Sequence, residues 1–200
     1  MTEFHREVLK EVGNIGAGHA ATSLAEIMKI PVGLTEPSVA RLPVTGIAVK
    51  SGYGGGRVAA LRMDVLGAVP GEIVILFDQA ESTEFVKRFL LMQVGDIAMT
   101  DELIESTLLE IANIIGGAYL AALADLINKE LMPSTPRLIY GALDDILAKL
   151  SVDDEHPSRY REAYMINNGF VNERGIIHVQ FLFLPQDDAL EPYLEAFSTS

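Results

Sequence analysis

The sequence predicts an α+β fold of two similar halves, a mainly antiparallel sheet flanked by two long helices. Three observations carry this. The first is a repeat: Glu11-Val-Gly-Asn14, twenty-two residues, then Pro37 recurs as Glu110-Ile-Ala-Asn113, twenty-two residues, then Pro136, with an offset of 99 at all three positions. A repeat on this scale marks a duplicated unit. The second is that each copy lies inside a long stretch of helical apolar spacing. The third is that strand-like runs follow each helix, joined by short glycine-rich turns that favour antiparallel pairing. The repeats span about 1–99 and 100–200 with no low-complexity linker between them, so the chain reads as a single domain over 1–200 that shares one sheet.

Taken in order, residues 3–29 place Phe4, Val8, Val12, Ile15, Leu24 and Ile27 at helical spacing. Thr2 can cap the start and Pro31 marks the end. Strand-like runs follow at Val39–Val49, Arg57–Met63 and Glu72–Phe77, with a turn at 51–56, and Glu81–Gln93 closes the half as an amphipathic helix carrying Phe85, Phe89 and Leu90. Residues 101–129 repeat the first helix through Leu103, Thr107, Ile111, Ile114, Leu123 and Leu126, with Thr100 before Asp101 and Glu102 at its start. Leu9/Leu108, Ile15/Ile114, Gly18/Gly117, Leu24/Leu123 and Ala25/Ala124 are identical at the same offset. Leu143–Leu150 reads as a helix of the second half only. Glu162–Asn167 and Ile176–Leu184 read as strands, Asn167-Asn-Gly169 as a turn, and Asp187–Phe197 as the closing helix. The phenylalanines and tyrosines, at helical or strand spacing, are expected in the core.

Composition narrows the function. With 200 residues, 49% of them hydrophobic, a packed core is readily built. The net charge is −13, with −2 in the first half and −11 in the second, which argues against binding the phosphate backbone of nucleic acid. There are no cysteines, so disulfides, thiol catalysis and thiolate metal sites are excluded. The N-terminus opens into a charged helical pattern without a signal peptide, and no apolar run reaches the roughly 18–20 residues that span a bilayer. A soluble, cytoplasmic protein without membrane insertion is expected.

Residues three or four apart are neighbours on one helix face. Glu7, Glu11, Asn14 and Gly18 therefore form one stripe, with Ala21 and Ala25 continuing it as a flat strip. Val8, Val12 and Ile15 lie to one side. Ser106, Glu110, Asn113, Gly117, Leu120 and Ala124 repeat the stripe. Asn and Gly inside a helix each cost some tenths to about 1 kcal/mol relative to Ala. One Glu-x-x-Asn is ordinary on an exposed helix. Two, each followed by proline at the same distance, point to a site. A carboxamide is neutral, donates and accepts, and can hold a water in fixed orientation, which is a known device in phosphoryl transfer. The neighbouring carboxylate can pair with a lysine on a partner, and the strip of small residues lets that partner approach closely.

Other patterns carry less. The glycines of Gly13-Asn-Ile-Gly16-Ala-Gly18 lie inside a helix and have the wrong spacing for a nucleotide loop, so helix packing accounts for them. The 51–56 segment lacks the Gly-Lys-Ser/Thr of a P-loop. His5, His19, His156 and His178 match no metal spacing, and Asp153-Asp-Glu155 reads as a solvated loop.

These features resemble the CheC/CheX/FliY phosphatases of chemotaxis, whose hallmark is Glu-x-x-Asn, twenty-two residues and Pro, preceded by Asp or Ser four residues before the Glu. The words Glu11-Val-Gly-Asn-Ile-Gly-Ala-Gly-His-Ala-Ala-Thr22 and Glu110-Ile-Ala-Asn-Ile-Ile-Gly-Gly-Ala-Tyr119 look like the two CheC signatures. Ser106 fits the Asp/Ser position and Glu7 departs from it. His19 stands where asparagine is common. The resemblance implies a CheY-P phosphatase in which Asn14 or Asn113 orients water against the aspartyl phosphate of CheY, and Glu11 or Glu110 salt-bridges the receiver's lysine. Glu7, Gly18, Ser106 and Gly117 would belong to the partner-binding face. Mg²⁺ would be supplied by the CheY receiver, with no metal site or cofactor of the chain's own. The receptor deamidase CheD would be a second partner. The alternative is a non-catalytic module that sequesters phosphorylated CheY or docks CheD.

Overall fold

The computed structural model describes residues 2–53, 56–94, 99–151, 160–172 and 175–198. The two long helices form where the spacing placed them. Helix α1 runs Glu3–Met28, and the Thr2 hydroxyl oxygen accepts the His5 amide proton at 3.1 Å. It stops at Lys29, in left-handed conformation with φ 56°. The equivalent long helix, Asp101–Ile127, is capped by the Thr100 hydroxyl accepting from the Leu103 amide at 3.3 Å, and it stops at left-handed Asn128, φ 50°. The left-handed stops are again 99 residues apart and the caps 98, so the duplication extends to the helix ends.

The strands are β1 (Gly33–Leu34), β2 (Ser38–Pro43), β3 (Arg57–Gly67), β4 (Gly71–Asp78), β5 (Leu131–Pro133), β6 (Arg137–Ala142), β7 (Glu162–Asn172) and β8 (Gly175–Pro185). The remaining helices are α2 (Ile47–Ser51), α3 (Gln79–Val94), α5 (Leu143–Ser151) and α6 (Glu191–Ser198), so the second long helix is α4. All pairings are antiparallel in one eight-stranded sheet. Its centre runs β7-β8-β4-β3. One edge is β1 and β2, both on β7, and the other is β5 and β6, both on β3. Each half thus lends its edge strands to the central hairpin of the other, and the halves interlock through the sheet.

Strand alternation divides the core in two. Ala59, Leu61, Met63, Ile73, Ile75, Phe77, Val179, Phe181 and Phe183 face the layer of α1, α3, α4 and α6. Val58, Ala60, Val74, Leu76, Met165, Leu182 and Leu184 face α2 and α5. On that second face the buried Glu72 carboxylate accepts two hydrogen bonds from the Arg62 guanidinium, the Nη2 bond at 2.9 Å. Glu72 is 2% exposed and Arg62 20%.

Several expectations need correction. The run Val39–Val49 is a strand only to Pro43, which has no amide to extend the ladder. Val44, Ile47 and Ala48 then turn inward on a 3-10 turn and α2, leaving Val49 88% exposed. Helix α2 is also the first-half counterpart of α5, so a short helix is not confined to the second half. Strands β5 and β6, a short proline-bounded pair, were not anticipated. Asn167-Asn-Gly169 lies inside β7, not in a turn. Its polar groups have tertiary partners: Asn167 Nδ2 donates to Ser38 Oγ at 3.1 Å, Asn168 Nδ2 donates to the Tyr119 hydroxyl, and Gly169 N donates to Thr35 Oγ1 at 2.8 Å. The closing helix starts at Glu191, after a 3-10 turn at Gln186–Asp188. Helix α4 is long and apolar enough, by length and composition, to cross a membrane, contrary to expectation, but 56% of its apolar window is buried inside the fold. Phe4 and Ile15 are 45% and 40% exposed and lie outside the core. Asp153–Glu155 and His156 lie outside the described residues.

Candidate functional site

Helices α1 and α4 pack along each other over the sheet. The contact is close where Gly16 meets Tyr119: a Cβ on Gly16 would lie 2.9 Å from Tyr119 Cα. Tyr119 is itself held from behind, stacked on Phe181 at 4.4 Å between ring centroids and bonded to Asn168. Burial pushes its phenol pKa up. The buried face of α1 is therefore centred on Val12, Gly16 and Ala20, and this fixes what points outward.

Outward point the residues of the repeat. Glu7, Glu11 and Asn14 are exposed on α1, and Ser106, Glu110 and Asn113 are exposed on α4. Among the described residues, no hydrogen bond or ion pair holds the side chains of Glu11, Asn14, Glu110 or Asn113. Two amides in helix interiors are thus left unused by the chain's own fold. Ser106 Oγ donates to the Leu103 carbonyl at 3.0 Å, so its proton is spent within the helix.

Pro37 has a mechanical role. Pro37 is buried, and its Cβ and Cγ lie 3.5 and 3.7 Å from where a Gly13 Cβ would stand, directly against the turn between Glu11 and Asn14. Twenty-two residues let the chain finish α1, form β1 and return to brace that turn. A lysine adds a tie in the first copy only. Lys10 Nζ lies 2.7 Å from Glu36 Oε1. Their mutual hydrogen bond and charge raise the lysine pKa and lower that of the carboxylate. The second copy has Leu109 and Thr135 at these positions. There the segment is tied to β3: Ser134 N donates to the Asp64 carbonyl at 2.8 Å, and Asp64 N donates to Ser134 Oγ at 2.9 Å. Sequence reasoning missed this asymmetry. The 99-residue offset alone could have found it, since it aligns Lys10 and Glu36 with two uncharged residues.

The glycines fall into two kinds. Gly16 is required by packing against the Tyr119 backbone, whereas Gly13 and Gly116 face side chains, Ile166 and the flexible end of Met63. A Cβ on Gly18 or Gly117 would meet nothing within 4 Å. The flat strip is shorter than the stripe implied, since Ala21 and Leu120 turn inward at 4% and 1% exposure. Beyond Gly18 the surface continues through Thr22 and Ala25 along an open groove of about 720 Å³, walled by Ile30 and Leu34. The contrast is measurable in denaturant unfolding. Gly16→Ala should destabilise by about 1–3 kcal/mol through overpacking against backbone. Gly18→Ala and Gly117→Ala should each stabilise by up to about 1 kcal/mol, the ordinary helix gain.

Among the described residues no group of three or more His, Asp or Glu is arranged to hold a metal ion. His5 is buried, whereas His19 and His178 are exposed and far apart in sequence.

Comparisons agree with the repeat. The model of the CheC-like family matches residues 4–39 and 103–140, one segment in each half, each containing a complete motif. The chain is 27% identical over 206 residues to the CheY-P phosphatase CheC of Bacillus subtilis (strain 168), covering 99% of this chain and 96% of that protein. Among solved structures it is similar to Thermotoga maritima FliY, with TM-score 0.75, 20% identity, and 100% and 98% of the two chains covered. A Desulfovibrio desulfuricans CheX aligns with TM-score 0.54 and 18% identity, covering 86% of this chain and 99% of that one. FliM in a complex from H. pylori aligns with TM-score 0.69 and 10% identity over 100% and 97% of the two chains. These structural likenesses concern the fold.

Proposed function

We propose that this chain, which belongs to the CheC-like family, hydrolyses the aspartyl phosphate of the response regulator CheY in the cytoplasm. One observation carries the reading. Asn14 and Asn113 are exposed, mid-helix and without a side-chain partner among the described residues, each three residues from an exposed glutamate and four from a glycine whose added Cβ would meet nothing within 4 Å.

The chemistry follows from the residue types. A water attacks phosphorus in line with the bond to the receiver's aspartate. That bond breaks, the carboxylate leaves, and phosphate and a proton are released. Little covalent work is asked of the protein, so positioning and charge stabilisation are what remain to supply. The carboxamide accepts a hydrogen bond from the water and fixes its approach. Glu11 or Glu110, on the same helix face, pairs with the receiver's lysine and sets the depth at which the amide enters. Gly18 and Gly117 let the receiver's surface close over the helix one turn further on. Mg²⁺ arrives with the receiver.

The test uses phosphorylated CheY with Mg²⁺ and follows loss of the phosphoryl group. Wild-type chain should accelerate the loss. Glu11→Arg/Glu110→Arg should raise the half-saturating concentration at least about tenfold, since a salt bridge becomes a like-charge contact at each face. Its thermal unfolding should match that of wild type, because neither glutamate has a partner among the described residues. No acceleration by the wild-type chain would overturn the reading.

A further inference from the structure

A cavity of about 390 Å³ lies on the α2 side of the sheet and is lined by Ser38, Ser51, Tyr53, Asn167, His178 and Gln180. Its hydrogen bonding is lopsided. Asn167 Nδ2 donates to Ser38 Oγ at 3.1 Å, and Gln180 Nε2 donates to the Ser51 carbonyl at 2.5 Å. Ser51 Oγ donates to the Ala48 carbonyl at 3.0 Å. The amide oxygens of Asn167 and Gln180 are buried, and no donor among the described residues reaches either. Buried acceptors without donors are costly and call for a partner.

The duplication identifies the partner. Ser38 and Arg137 are 99 residues apart, and Ser38 pairs with Asn167 as Arg137 pairs with Arg62. Asn167 is therefore the counterpart of Arg62. Gln180 pairs with Asn167 as Val74 pairs with Arg62, so His178 is the counterpart of Glu72. In one half this place is filled by a buried guanidinium–carboxylate pair. In the other, Asn167 in place of Arg62 leaves a cavity with buried, unpartnered amide oxygens and no Lys or Arg among its described lining residues. The surroundings favour positive charge. Glu81 and Glu36 line the cavity, with Glu36 already paired to Lys10. Burial first, then the charges of Glu81 and Asp78, push the Tyr53 phenol up to about 12, which keeps it neutral.

We propose that this cavity binds a small molecule through a guanidinium group, whose N–H donors satisfy Asn167 Oδ1 and Gln180 Oε1 where the other half supplies the guanidinium of Arg62. Thr35 and Glu36 form part of the wall, and the next residue, Pro37, braces the first motif turn, so the occupied site adjoins the Asn14 face.

The test is titration calorimetry of the full chain with agmatine and with methylguanidinium, using tetramethylammonium as a cation without N–H donors. One saturable guanidinium site per chain is expected, with tetramethylammonium at least tenfold weaker. Asn167→Arg/His178→Glu copies the ion pair of the other half into the cavity and should abolish binding while melting at or above the wild-type temperature. Gln180→Leu, which removes one acceptor, should weaken binding at least tenfold and serves if the double variant fails to fold. No saturable guanidinium binding by the wild type, equal binding of tetramethylammonium, or unchanged affinity in the folded variants would overturn the proposal. None of these readouts involves CheY or phosphate hydrolysis.

Discussion

Replacing both motif amides, Asn14→Ala/Asn113→Ala, should slow hydrolysis of phosphorylated CheY by about 100-fold or more, the scale seen when a preorganised polar group is removed from a reaction centre. Complex formation should survive, because the glutamates and the glycine approach remain. So should the fold: both side chains are exposed and bond to nothing among the described residues. Alanine is also the better helix former, so the variant should unfold at or slightly above the wild-type temperature. Loss of rate in a more stable protein separates a catalytic amide from a structural one. The measurement pairs initial rates of phosphate loss with thermal unfolding of the same preparation. A double variant as fast as wild type would remove the amides from the mechanism.

The largest expected effect on stability lies elsewhere, at Glu72→Ala. The change strips the half-buried Arg62 guanidinium of its buried carboxylate on the α2 and α5 face of the sheet. Breaking a buried pair from one side costs about 3–5 kcal/mol, because a charge is left uncompensated in a poorly solvating place. Arg62 is 20% exposed, which puts the expectation near the lower figure. Replacing both partners with apolar residues of similar volume, Arg62→Met/Glu72→Leu, should recover most of the loss. Denaturant midpoints of the two variants check both statements, and equal midpoints for Glu72→Ala and wild type would show that the pair contributes little.

The long helices were legible because side-chain period and caps agree: Thr2 and Thr100 each accept the amide predicted for an N-cap residue. The central strands were legible by alternation. Of the edge strands only β2 was. β1, β5 and β6 are short, lie near Pro31, Pro133 and Pro136, and are held by strands from the other half of the chain, which no local pattern records. Local turn chemistry misled at Asn167–Gly169, where bonds to Ser38, Tyr119 and Thr35 override it. At the site, polarity on one helical stripe was enough to place Glu11, Asn14, Glu110 and Asn113 outside. It could not separate Gly16 from Gly18, or send Ile15 outward and Ala21 inward, because those depend on where α4 crosses α1.

The lifetime of the acyl phosphate when phosphorylated CheY is mixed with excess chain is the most direct test of hydrolysis by the motif amides. A hydrolytic amide predicts that the lifetime falls below that of the receiver alone, and that the effect saturates with chain concentration. A lifetime equal to or longer than that of the free receiver, with complex formed, would contradict it and leave a protein that binds CheY without acting on its phosphate.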